Sequence, residues 1–262
     1  MDELQQEITK QVVDKTVGNV YTDLVQPTAK SLGSILNFLP GIIAAYLTKC
    51  QDWLINGKKS IELTAQAVQE KIQNIPEEKL TEPEANIAIP AIQQLSYCYD
   101  CEELRKMYAN LLVTSMNIDT KSSAHPAFVD IIKQLTPDEA KLLGKIVYQP
   151  PIFYPLIDVN FHIGNSQGLL PMIKNFSDLA YGVCEYPNNI AAYLENLNRL
   201  GIIEISNTKW INDDSKYEQL QNHPVVKTAV KDSIKNGAKI NYSKKLFNVT
   251  SFGINFMKSC IA

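Results

Sequence analysis

Residues 187–206 read PNNIAAYLENLNRLGIIEIS. Ile190, Tyr193, Leu194, Leu197 and Leu200 recur every three or four positions, which puts them on one face of a helix. Gly201 supplies the stop, because a helix end often needs one residue in the left-handed backbone region. The pattern then changes to the extended run Ile202–Ser206. Upstream, NFSDLAYGVC (175–184) suggests a short helix. Downstream, a polar excursion runs from 206 to 245, with HPVVKTAVKDSIKNG (223–237) as a helix inside it. KLFNVT (245–250) follows as a second strand and SFGINFMKSC (251–260) as a last helix. Short helix, longer helix, strand, excursion, strand and final helix is the order of a winged helix-turn-helix. The two strands would form a small β-hairpin wing, and the helix from Ile190 would be the recognition element.

Before this module, QPPIFYP (149–155) carries three prolines, which exclude a helix and suit a connection between packed units. The expected division is therefore a helical domain over 1–150 and a winged-helix-like α+β domain over 151–262. The expected class is mainly α, a helical bundle followed by that module. The bundle is read most clearly from 101 to 147. Leu104, Met107, Tyr108, Leu111 and Leu112 line one helix face, and Asp100 with Glu103 suggests a capping box at its start. A second helix starts at His125-Pro126 and buries Phe128, Ile131, Ile132 and Leu135. A third starts at Thr136-Pro137, with Glu139 as reciprocal capping partner.

Further upstream, Ile61, Ala65, Val68, Ile72 and Ile75 sit near helical spacing, and Pro76 closes the run. Pro83 and Pro90 then imply that helix over 77–98 is interrupted or begins late. Ser31–Thr48 holds eighteen uncharged residues between Lys30 and Lys49. One straight helix of that length would span roughly 27 Å, close to a bilayer's hydrocarbon core. The Pro40-Gly41 pair favours a buried helical hairpin over 31–48, with conditional membrane insertion as the alternative.

The chain of 262 residues can bury a sizeable core, and its start, MDELQQEITK, lacks the pattern of a secretory signal. A cytoplasmic protein with reduced thiols is expected, since Cys50, Cys98, Cys101, Cys184 and Cys260 are odd in number and widely spread. The net charge is -3, but the segment from Ile205 onward is +5, with nine Lys, no Arg and four acidic residues. Such a segment can be a nucleic-acid face or a solvated surface. Lysines 209, 216, 227, 231, 235, 239, 244 and 245 are its candidate phosphate contacts, and Asn189, Asn196 and Arg199 the candidate base readers on the recognition helix. With Glu195 on the same helix and Arg199 as its single basic residue, protein contact is favoured over DNA reading.

No motif marks an active site. Cys98-Tyr99-Asp100-Cys101 has C-x-x-C spacing at a helix start, yet a structural zinc would want a second ligand pair, and a thioredoxin-like pair would follow a strand. Two part-buried thiols are the favoured reading. His125, His162 and His223 are far apart, and no phosphate loop, nucleophile elbow or zinc-protease motif is present. The chain is therefore expected to be no enzyme, with no catalytic, cofactor-binding or metal residue and no cofactor.

The central block, LRKMYANLLVTSMN (104–117) followed by HPAFVDIIKQLTPDEAKLL (125–143), resembles the abortive infection alpha family of bacteria. VYTDLVQPTAKSLGSIL (20–36), KIQNIPEEKLTEPEANIAIPAIQQL (71–95), LNRLGIIEI (197–205) and VTSFGINFMKSC (249–260) are similar to its flanking regions. The resemblance implies a role in defence against phage, in which the infected cell stops growing or dies before progeny emerge. It carries no catalytic residues and no mechanism. Three mechanisms follow as alternatives: binding or sensing an unknown protein partner from phage or host, membrane action through 31–48, and DNA binding through the basic carboxyl segment. The oligomeric state is not specified.

Overall fold

The computed structural model describes residues 41–147, 152–162, 169–235 and 238–261, with side chains from 56 in the first span and up to 231 in the third. Residues 31–40, the first part of the apolar stretch, lie outside it. The chain divides into two compact units, Met1–Pro137 with Asn255–Ala262, and Asp138–Ile254.

The first unit is helical among the described residues. Helix α1 (Gly41–Ile72) is long and unbroken, and Ile61, Val68 and Ile72 are buried along it at helical spacing. Helix α2 (Ala85–Leu95) contains Pro90, where the sequence suggested an interruption. The proline removes one backbone hydrogen bond, at a cost of about 3 kcal/mol. Ile87, Ile92 and Leu95 are buried from the same helix, each contributing about 1.5–3 kcal/mol. Burial therefore outweighs the break, and exposed Asn86 lets water take the carbonyl the proline leaves open.

Helix α3 (Glu102–Ser115) fills the middle of this unit, burying Leu104, Met107, Tyr108, Leu111 and Leu112 as the spacing predicts. Its cap differs from expectation. Cys101, rather than Asp100, is the N-cap residue, and its side chain makes no cap bond. Helix α4 (Ala127–Lys133) buries Phe128, Val129, Ile131 and Ile132, and the Tyr108 hydroxyl donates to the Val129 carbonyl at 3.2 Å. The His125 ring holds the start of α4, Nδ1 accepting from the Ala127 amide at 3.1 Å.

The second unit overturns the winged-helix reading. Helix α5 (Pro137–Leu143) begins at the expected proline, but the sequence after it forms strand β1 (Tyr154–His162) and strand β2 (Leu169–Phe176). Helix α6 (Ile190–Arg199) follows, then β3 (Ile203–Ser206), α7 (Asp214–Gln221), α8 (Pro224–Lys235), β4 (Ile240–Val249) and α9 (Ser251–Cys260). The fold is mixed α and β, with a curled four-stranded antiparallel sheet of order β2-β1-β4-β3 in place of a two-stranded wing. The segment 175–184, read as a short helix, is the end of β2 followed by turns.

Of the three prolines that argued for a linker, Pro150 and Pro151 lie outside the described residues, and Pro155, like Pro171 further on, occupies a place where a strand can carry it. Pro155 lies near the start of β1, ahead of the Ile157–Phe176 position where pairing to β2 begins. Pro171 lies in edge strand β2. Neither position asks both sides of the chain for a ladder bond. Strand β1 pairs with β4 from Tyr154–Phe247 to Phe161–Ile240, so segments 79 to 93 residues apart make the centre of the sheet.

Helix α6 packs against β2 and β3, and α7 against β1. Helix α6 buries Ile190, Tyr193, Leu194 and Leu197, as its spacing predicts. Gly201 closes it at φ 74°, with the Ile202 amide donating to Leu197 and the Gly201 amide to Asn198, both at 3.0 Å. Thr250 caps the start of α9, Oγ1 accepting from the Gly253 amide at 2.9 Å and donating to the Gly201 carbonyl at 2.6 Å. A Cβ on Gly253 would lie 2.0 Å from the Ile202 carbonyl oxygen, so only glycine permits this approach of α9 to the start of β3.

Candidate functional site

The polar chemistry of the second unit is concentrated on its sheet and on α6. Strand β2 carries extra residues opposite β1, because pairing passes from Ile157–Phe176 to Val159–Ile173 and then to Asn160–Pro171. Asn175 sits in the first of these bulges at φ 50°. Asparagine is among the few side chains that adopt this left-handed region readily. Its amide donates to Asp158 Oδ1 at 2.8 Å, and its Nδ2 donates to Glu195 Oε1 on α6 at 3.1 Å.

Lys245 completes the group from β4. Its side chain, with the residue only 7% exposed, donates to Asn175 Oδ1 at 2.5 Å and reaches both Asp158 oxygens at 3.3 Å. A buried ammonium needs such acceptors, since desolvation would otherwise cost several kcal/mol. Through these contacts Lys245 ties β4, β1 and β2 together. The sequence reading missed this group, although Asp158 within the apolar run PLIDVNF was a usable signal: a lone carboxylate in a buried strand calls for a cationic partner.

Adjacent Lys244 points to the other face of β4, as strand alternation requires. It pairs with Asp214 at 2.7 Å and lies over the Tyr217 ring, 5.4 Å from its centroid. Tyr217 is buried, accepts from the Ile211 amide and donates to the Lys245 carbonyl at 3.0 Å. The two lysines read as a pair of phosphate contacts thus face opposite sides of one sheet, each against an aspartate.

A second polar group lies at the start of α5. Asp138, only 5% exposed, accepts from the Glu185 amide, the Tyr186 amide and the Tyr193 hydroxyl, each at 2.8 Å. Burial pushes its carboxyl upward, but these donors together with Lys141 outweigh that and hold it below the usual carboxylate value. Tyr193 is pushed up to about 12, first by burial and then by its bond to Asp138. Buried Glu139 accepts from Asn196 Nδ2 at 2.8 Å.

These bonds also employ Asn196 and Arg199, two of the three side chains proposed to read bases, while the third, Asn189, is exposed just before α6. Asn196 Oδ1 accepts from Arg199 Nε and Nη2 at 3.1 and 2.6 Å while its amide serves Glu139. Asn198 Oδ1 accepts from the Ile205 amide at 2.9 Å. Lysines 209, 216, 227, 231 and 239 are exposed, Lys227 and Lys231 one turn apart on α8 and the others on separate segments, and the side chain of Lys235 lies outside the described residues.

Among the described residues, Cys98 and Cys101 share one turn, and the other cysteines and the histidines lie apart from them. Burial pushes the Cys98 thiol up to about 11, and burial likewise raises Cys184 and Cys260. His125 precedes α4, His162 ends β1 and His223 precedes α8, packed on the rings of Phe176 and Tyr181. Among the described residues there is no group of three metal-binding side chains, and no helix is long and apolar enough to cross a membrane.

The profile of the family described as abortive infection alpha matches residues 56–260. The chain belongs to the abortive infection alpha family. The matched span begins within α1 and takes in every later element, including both polar groups of the sheet unit. It also contains the quoted blocks at 104–117 and 125–143 that carry the sequence resemblance, whereas 20–36 lies before it. No curated protein and no solved structure matched the chain. Membership in the abortive infection alpha family therefore rests on the family profile, and it brings no residue roles with it.

Proposed function

We propose that this abortive infection alpha protein acts in the cytoplasm by binding a protein, a phage or host component, with no catalytic step of its own. The observation that carries this reading is the outer edge of β2. Among the described residues that strand ends the sheet, and Leu169 and Leu170 on it are 44% and 43% exposed. An edge strand offers unpaired amides and carbonyls to an extended segment of another chain, and exposed leucines add apolar contact beside them. The internal engagement of Asn196 and Arg199, and the pairing of Lys244 and Lys245, favour protein contact over nucleic acid.

Leu170→Asp tests this at an exposed position that the fold does not need. Cells expressing the parent or the variant are challenged with a phage panel, scoring plaque number and survival of infected cells. The variant is expected to fold and accumulate normally while losing at least about tenfold of any plaque reduction, the order of one disrupted apolar anchor. Full protection by a folded Leu170→Asp protein would refute a partner site on this edge.

A further inference from the structure

The C-x-x-C motif finds no place in the binding role, yet its local structure is that of a pair able to close. Cys98 follows the end of α2 and Cys101 is the N-cap of α3. The Cys101 amide donates to the Cys98 carbonyl at 3.1 Å, closing a four-residue turn. The ends of such a turn lie within about 7 Å, and disulfides bridge Cα atoms about 4.4–6.8 Å apart. Arg105, one turn into α3, holds the turn from outside, Nη1 donating to the Cys98 carbonyl at 3.0 Å and also to the Tyr99 carbonyl. Cys98 is buried, the residue 8% exposed, and its thiol donates to the Gln94 carbonyl at 3.4 Å, while Cys101 is partly open to solvent.

We propose that Cys98 and Cys101 are a thiol–disulfide pair that hydrogen peroxide closes within the folded protein. The turn supplies proximity, and the start of α3 and the Arg105 guanidinium supply the positive field that a thiolate needs. The more accessible sulfur reacts first. Cys101 thiolate attacks one peroxide oxygen, the O–O bond breaks, and hydroxide leaves and takes up a proton as water. Cys98 then releases its proton to solvent and attacks the sulfur of the Cys101 sulfenic acid. An S–S bond forms, the S–O bond breaks, and a second water leaves. Two thiols lose two electrons, and one peroxide becomes two waters. Burial raises the Cys98 thiol, so the second step is the slow one and accelerates as pH rises.

The test uses the reduced full-length protein, exposed to hydrogen peroxide, then unfolded in N-ethylmaleimide and weighed intact and after digestion. Alkylated cysteines are expected to fall from five to three, with the missing pair mapped to Cys98 and Cys101 and restored by dithiothreitol. The closure rate should rise about tenfold per pH unit between about pH 7 and 9, following the thiolate fraction of Cys98. Cys98→Ser should leave a sulfenic acid on Cys101 that dimedone traps. Where that variant does not fold, mapping of the parent carries the test. Retention of all five labels, or a disulfide mapped to Cys50, Cys184 or Cys260, would overturn the proposal.

Discussion

Asp138→Ala is the substitution with the best-defined consequence. The carboxylate accepts two backbone amides and the Tyr193 hydroxyl, all at 2.8 Å, from a site only 5% exposed. Hydrogen bonds to a charged group contribute about 1.5–3 kcal/mol each, and a donor left buried without a partner costs about 1–3 kcal/mol. The three donors share one acceptor group, so their losses do not add, and about 3–5 kcal/mol is expected for the variant. In a chain of this size that lowers the thermal midpoint by roughly 6–20 °C. The assay is thermal and urea unfolding of parent, Asp138→Asn and Asp138→Ala.

The pH dependence gives Asp138 a signature of its own. A carboxyl held below its unfolded value in the native state stabilises fully above the unfolded pKa, near the 3.8 of a free aspartate, and that contribution is lost as pH falls through the lowered native value. The gap between parent and Asp138→Asn should therefore be constant near neutrality and shrink below about pH 4. Tyr193 acts at the alkaline end. Its native value is raised to about 12 from 10, so its contribution is intact below pH 10 and lost as pH rises through 12. An Asp138→Ala midpoint within about 2 °C of the parent, less than 1 kcal/mol in a chain of this size, would refute this account of the group.

Two further perturbations test the sheet unit. Asp158→Leu or Lys245→Met alone should cost about 3–5 kcal/mol by stranding the other member of a buried pair, whereas the double variant Asp158→Leu with Lys245→Met should recover much of that loss. Additive losses in a double-mutant cycle, measured by urea unfolding, would show that the two side chains are not coupled. Gly253→Ala should destabilise by at least about 1–3 kcal/mol, the usual cost of overpacking, because its Cβ would fall 2.0 Å from the Ile202 carbonyl oxygen. Unchanged thermal stability of Gly253→Ala would mean that α9 does not start against β3 as described.

The amino-acid order alone determined those elements whose information is local. The faces of α3, α4 and α6 follow from apolar spacing, the start of α5 from Pro137 and the end of α6 from Gly201, because these depend on residues within one or two helical turns. The family is legible for the same reason, since the blocks at 104–117 and 125–143 are contiguous.

The strands at 203–206 and at the end of β4 were legible too, but tertiary structure alone decided β1, β2 and the four-stranded sheet they complete. Strand β1 carries Pro155 and Asp158, each unfavourable to a strand when read locally, and it is stabilised by pairing to β4 79 to 93 residues later. The same holds for side chains whose partners are distant in sequence. The last helix is held at its end by Asn110 donating to the Cys260 carbonyl and Thr114 to the Ser259 carbonyl, 150 and 145 residues apart. Lys244 and Lys245 looked alike as charges and became different as structure, one over Tyr217 and one buried against Asp158, because a strand sends neighbouring side chains to opposite faces and the fold decides what waits on each.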